Sequence, residues 1–243
     1  MLEFTLTSGL ATVCLQRGSR GNALAGDLVE RLLTALPQAW SDPAVHTLVV
    51  RGEGKHFCTG FDLDGLEQQS DGDLLYRFVR IEMLLAMLWH APIRTVAIAA
   101  GRTWGAGADM VAACDIRLAC SATRFRFPGA GFGIVLGTRR LAARVGEGLA
   151  RRWVTEATEV SAQQALVAGL ITDIVEPEEQ DAWIAAQLTA PKVERDVAEA
   201  LHRASRADLR DADLAALVRS AAVPGLRGRI ADYARRPRKG APS

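Results

Sequence analysis

The sequence predicts an α/β fold, a core of strand–strand–helix units followed by a helical C-terminal segment. Three observations lead there. Short apolar runs, alternating or continuous, are interleaved with helix-period runs up to about residue 175. Beyond about residue 138 helical patterning takes over, and residues 192 to 236 read as two or three Ala- and Arg-rich helices separated at "VPGLRG". Hydrophobic residues make up 49% of 243, enough to bury a sizeable core. The expected division is a core with a binding site over 1–190 and a helical segment with a basic tail over 191–243.

Taken in order, "LEFTLT" and "LATVCLQ" alternate with period two around Ser8-Gly9 and read as a β-hairpin. Leu24, Leu28, Leu32 and Leu36 recur every four residues, an amphipathic helix expected to end near Pro37. "HTLVVRG" is a buried strand that stops at Gly52. A helix over about 73–89 carries Leu74, Phe78, Ile81 and Leu85 on one side. "TVAIAAG" is a second buried strand, "AGADMVAAC" a helix, "DIRLAC" a strand, and "TRFRFP" alternates as an edge strand. Ser161 with Gln164 forms a capping box before "ALVAGL". "LITDIV" is a short strand, and Pro177 with Glu178 and Glu179 opens a further helix.

The net charge is +1 with acids and bases interspersed, which argues against a nucleic-acid binder. Cys14, Cys58, Cys114 and Cys120 lie far apart with no CxxC pair, so no metal site is expected and a reduced, cytoplasmic chain is. The N-terminus lacks a basic region and an unbroken apolar stretch, and no segment is apolar for long enough to span a membrane. The terminal "ARRPRKGAPS" reads as a frayed, solvated tail.

Two loops are suited to an anion. In "RGEGKHFCTGFDLDGL" a strand ends, glycines turn the chain, and Gly60-Phe61-Asp62 leads toward a short helix with Asp62 as a candidate N-cap. In "GRTWGAGADMVAACD" the run Gly105-Ala106-Gly107 brings bare backbone to the start of an apolar helix, with Asp109 directly behind. Free N–H groups and the helix dipole stabilise negative charge there. If the loops face each other, each supplies a donor to one oxygen, and each such donor is worth about 3 kcal/mol toward a developing oxyanion. A dinucleotide loop fits less well, because Met110 stands where its third glycine or alanine belongs.

The order of motifs resembles the crotonase family, the enoyl-CoA hydratase/isomerase superfamily. "GEGKHFCTGFDL" is similar to its G-x-G-x-x-F-(S/C)-x-G-x-D-(L/I) segment, and "GRTWGAGADMVAACDIRLA" to its glycine-triplet segment ending in an acidic residue and a helix. "RGSRGNAL" resembles the early R-P-x-x-x-N-A-(L/M) loop, and "VSAQQALVAGLITDIV" the later helix and strand. The resemblance runs from about residue 3 to 236. It implies a crotonase-type spiral of ββα units with a helical C-terminal trimerisation segment, hence a homotrimer or dimer of trimers. The implied substrate is an acyl-CoA thioester, with CoA entering as part of the substrate and no separate cofactor.

By position, the implied oxyanion donors are the N–H groups of Phe61 and Ala106, with Gly107 at the last place of the glycine triplet. The adenine pocket falls on the backbone around Thr59, Gly60, Phe61 and Leu63, and Arg17 and Arg20 are candidate phosphate contacts or solvated arginines. Trp104 and Gly105 flank the second loop, Trp104 as a wall of the acyl pocket. Hydratases of the family carry two glutamates. Here the first position holds Asp109 and the second falls on Gly129, which has no acid or base to offer. One carboxylate suits a double-bond shift or other enolate chemistry better than hydration. Glu82 and Asp73 are possible second carboxylates or surface charges, and His56 and His90 are expected to point away or to cap. Gly129, Gly131 and Gly133 leave a flexible turn or a wider pocket. A non-catalytic acyl-CoA-binding protein that kept the fold is the rival reading. A serine hydrolase would need a serine at the helix start, where "WGAGADM" has none.

Overall fold

The computed structural model describes residues 1–7, 9–187 and 193–236. The 190/191 division and the end of the basic tail, from residue 237, lie outside the described residues. The chain runs β1 (Leu2–Thr7), β2 (Leu10–Leu15), α1 (Gly26–Ser41), β3 (Thr47–Gly52), α2 (Asp71–Trp89), β4 (Arg94–Ala99), β5 (Arg102–Trp104), α3 (Ala106–Ala113), β6 (Ile116–Ala119), β7 (Arg124–Arg126), α4 (Thr138–Val145), α5 (Glu147–Glu156), β8 (Val160–Ser161), α6 (Ala162–Val167), β9 (Asp173–Ile174), α7 (Gln180–Gln187), α8 (Arg195–Ser205), α9 (Arg210–Ala221) and α10 (Leu226–Arg235).

The main sheet has strand order β1-β2-β3-β4-β6-β9. The β1–β2 hairpin is antiparallel, Leu2 opposite Leu15, and each later strand adds in parallel. Parallel strands covered on both faces need apolar side chains in both directions, which is why β3 and β4 read as continuous runs. Leu48 and Val50 face the large core with Leu28, Leu32 and Leu85. Val49, Val96 and Ile98 face the other way, toward Trp183 and Ile184 of α7.

Four expectations are corrected. The first helix does not end at Pro37 but continues to Ser41 with the proline inside it. A helical proline costs about 3 kcal/mol. Ala39 is fully buried in the core and Arg195 of α8 donates to the carbonyls of Trp40 and Asp42, so the last turn is held by tertiary contacts. Leu24 lies ahead of that helix, in a bridge with Phe61. The stretch "TRFRFP" is not an edge strand. β7 is the middle strand of a second sheet, β5-β7-β8, pairing in parallel with β5 and antiparallel with β8. Asp62 caps no helix; its carboxylate accepts from the Asp64 N–H (3.0 Å) and pairs with Arg17 (2.8 Å).

The capping box at Ser161 and Gln164 is present, and α2 opens on a second one, Ser70 with Asp73. Past α5 the helices fold back. Leu217 and Ala221 of α9 and Leu226 and Ile230 of α10 pack with Leu66, Leu74, Phe78 and Ile134 in a separate apolar cluster. Asp71, in the first turn of α2, accepts from the backbone N–H groups of Gly225 (2.8 Å), Leu226 (3.1 Å) and Arg227 (2.8 Å), and so caps α10 from another helix.

Candidate active site

The two glycine loops meet backbone to backbone. Trp104 N–H donates to the Cys58 carbonyl (3.0 Å), and Cys58 bridges Thr103. Gly60 has φ +93°, and a Cβ there would lie 2.8 Å from the Trp104 carbonyl and 3.5 Å from Ala106 N. A Cβ on Gly107 would lie 2.2 Å from the Cys58 carbonyl. Only glycine allows that approach, so these positions set the distance between the loops.

On either side of Phe61 the backbone is engaged: Leu24 N–H donates to Gly60 O (2.8 Å) and Asp62 N–H to Leu24 O (3.4 Å). Gly105 N–H donates to Arg126 O (2.7 Å). The N–H groups of Phe61 and Ala106 themselves have no acceptor among the described residues. Both residues line one cavity of about 1030 Å³. Ala106 is the first residue of α3, so its N–H is one of the donors a helix start leaves unpaired. The Phe61 ring stacks on Phe78 at 4.4 Å and carries the Arg77 guanidinium at 4.0 Å, which fixes this loop from below.

Asp109 sits in the first turn of α3, 5% exposed, in the wall of the same cavity. Its carboxyl accepts no hydrogen bond from a described residue. Gly137, at the start of α4, packs so closely that a Cβ would lie 2.2 Å from Asp109 Oδ1. Burial holds the Asp109 carboxyl well above the usual carboxylate range; the Arg140 charge pulls it down and the Glu82 charge pushes it up. Glu82 is not a surface charge. It is buried with Arg140 in a bidentate ion pair that ties α2 to α4, and it does not line the cavity. Burial pushes the Glu82 carboxyl up against the pull of Arg140.

Thr59, Gly60, Leu63, Trp104, Gly105 and Gly129 also line the cavity. Gly107 packs against Cys58 instead. Arg17 is outside it, its guanidinium committed to Asp62 and the Ala23 carbonyl. Arg20 is outside it too, in an exposed pair with Asp64 (3.1 Å). Asp73 is spent in the capping box. His56 turns away and accepts from Arg102 N–H, while His90 stands 3.7 Å from Asp208. The space beside Gly131 and Gly133 is not open: a Cβ would meet the Tyr233 ring at 2.6 Å and Arg229 at 2.3 Å. These glycines seat α10, and only Gly129 of the three adds room to the cavity.

Sequence reasoning missed Arg126, Phe78, Ile230 and Tyr233, which line the cavity as well. Arg126 had a signal, since alternation in "TRFRFP" places it on one face with Arg124. Tyr233 and Ile230 had none, because only the fold brings α10 to this wall. Among the described residues no group of His, Cys, Asp and Glu is gathered as a metal ion would need, and no helix is long and apolar enough to cross a membrane.

Residues 5–222 match the sequence model of the enoyl-CoA hydratase/isomerase family. The "Probable enoyl-CoA hydratase echA6" of Mycobacterium tuberculosis is 34% identical over 188 residues, 76% of this chain and 75% of that one. The crotonyl-CoA hydratase of Syntrophomonas wolfei is 32% identical over 180 residues, 70% of this chain and 67% of its own. An enoyl-CoA hydratase/isomerase structure from Bordetella parapertussis superposes with a TM-score of 0.94 at 40% identity, covering 97% of this chain and 99% of that one. The enoyl-CoA hydratase of Bacillus halodurans shares the fold, with a TM-score of 0.84 at 19% identity and coverage of 95% and 99%. With the fold, the facing loops and these relatives in agreement, the chain belongs to the enoyl-CoA hydratase/isomerase, or crotonase, family.

Proposed function

We propose that this chain processes an acyl-CoA thioester through its enolate, with the N–H groups of Phe61 and Ala106 holding the thioester oxygen and Asp109 transferring the proton. The observation that carries this is the meeting of two unpaired amides and one buried, unpartnered carboxyl in a single cavity. Two donors aimed at the oxygen stabilise the charge that develops when the α-proton leaves. A carboxyl held above its ordinary pKa is a better proton acceptor once ionised and a better-matched donor on return.

Hydration needs a second group to hold and deprotonate water, and Gly129 supplies none. A double-bond shift needs only one. Asp109 takes a proton from the carbon next to the thioester and delivers it two carbons further along, with no net change in atoms. Isomerisation is therefore the reading we favour. The relatives' names bring the substrate class, an enoyl-CoA, and a cytoplasmic location is consistent with it.

The test is turnover of 3-enoyl-CoA and crotonyl-CoA by the wild type and Asp109→Asn. Isomerisation should exceed hydration in the wild type and fall by about a hundredfold or more in Asp109→Asn, with thioester binding retained. Wild-type protein that binds these thioesters and turns over neither would instead be an acyl-CoA-binding protein.

A further inference from the structure

We infer that the acyl chain received here carries a second carboxylate at its far end, taken by Arg126 with Arg102 beside it; this rests on the thioester reading above. In the β5–β7 ladder Trp104 lies opposite Arg126 and Thr103 opposite Phe125. Thr103 and Phe125 are fully buried, so the pleat turns Arg102, Trp104, Arg124 and Arg126 to the other face. The guanidinium of Arg102 stands 5.1 Å from the Trp104 ring centre and that of Arg126 5.8 Å from it. Arg102, Trp104 and Arg126 all line the cavity that holds the two free amides.

Among the described residues, these two arginines lack the counter-ion that Arg124, the third arginine on this face, has. Arg124 bonds the carbonyls of Ser121 and Thr123 and lies 4.0 Å from Glu159. Among the described residues, Arg126 donates only its Nε, to the Ala157 carbonyl at 2.8 Å, which fixes the fork and leaves both terminal nitrogens without an acceptor there. Neither Arg102 nor Arg126 has a carboxylate within 4 Å among the described residues. Glu156 and Glu159 also line the cavity, but both are exposed, and Glu156 accepts from Thr158 Oγ1 at 3.2 Å. A half-buried guanidinium with an unused planar fork fits a carboxylate in bidentate fashion.

Its place favours the acyl end over the CoA end. Arg126 O accepts from Gly105 N–H, so the strand bearing it is bonded to the oxyanion loop, and β7 leads on to Pro128 and Gly129 in the same wall. Thr59 and Leu63, where the CoA body is placed, belong to the other loop.

Calorimetric titration of the full chain with glutaryl-CoA, pentanoyl-CoA and free CoA tests this. Glutaryl-CoA should bind about tenfold or more tightly than pentanoyl-CoA. That ratio should fall to about one in Arg126→Met and be partly kept in Arg126→Lys. Arg102→Met, at an exposed position, should lower it in part, and guards against Arg126→Met loosening the loop at Ala157. A ratio near one in the wild type overturns the inference alone. So does an Arg126→Met variant that weakens free CoA as much as glutaryl-CoA, since the anion would then be a CoA phosphate. Absence of binding by all three ligands removes the thioester reading itself.

Discussion

Asp109 is where the protein's proton balance and its chemistry meet. In the unfolded chain its carboxyl titrates near about 3.9; in the fold it is held well above that, chiefly by burial. Between those values the folded state binds more protons, so this group's contribution to stability is intact at low pH and is lost as pH climbs toward the raised value. Asp109→Asn should therefore gain stability over the wild type progressively as pH rises from about 4, read from urea melts across a pH series. Activity should run the other way. A base must be ionised, so kcat/KM should rise with pH through a limb above the ordinary carboxylate range. A limb at the ordinary range would remove Asp109 from the role. In the same cavity, Gly129→Glu should place a second carboxyl and raise crotonyl-CoA hydration by about tenfold or more; a Cβ there would lie 3.3 Å from the Ile134 carbonyl, which has to give by a few tenths of an ångström.

At the scale of elements, the site is the docking of two loops largely through backbone, with the His56 ring accepting from Arg102 N–H at their edge. Gly107→Ala would drive a Cβ into the Cys58 carbonyl, backbone against backbone, and separate the amides. A displacement of about 1 Å costs on the order of a hundredfold in rate, so kcat should drop by about that much. Behind the site, Glu82→Ala leaves the buried Arg140 with Asp213 at 3.9 Å as its remaining carboxylate, which should cost about 3 kcal/mol, the low end for a broken buried pair, in a denaturant melt. The loops and Asp109 were legible because glycine spacing and a helix start are local features. The Glu82–Arg140 pair was not: Glu82 lies on the helix that the leucine pattern explains, and nothing local shows that Arg140, 58 residues further along the chain, will face it. The end of α1 was misread for the same kind of reason, since Pro37 is a local stop signal and the contacts that carry the helix past it come from Arg195. β7 looked like an edge strand because alternation reports burial of one face and not the number of neighbours.

For the whole molecule, the ββα course of the core was readable from period alone, whereas the return of the C-terminal helices was not. "VPGLRG" marked a break between helices but gave no direction, and the seat for α10 was misread as open space beside Gly131 and Gly133. The family suggests self-association, and sedimentation equilibrium should return a trimer or a dimer of trimers; a monomer at working concentration would leave each chain to complete its site alone. Tyr233 and Ile230 show that each chain already supplies much of that wall. One carboxylate adds to the apolar packing that holds this wall. Asp71 grips three successive amides of α10 from the start of α2, and those bonds hold its carboxyl below the usual range. Their contribution is present at neutral pH and vanishes as acid protonates the group. Acid strong enough to protonate a carboxyl held below its ordinary range, or Asp71→Ala, should thus loosen the rear of the chamber while the sheet stays folded, so that ligand grip and secondary structure fail at separate points on one titration.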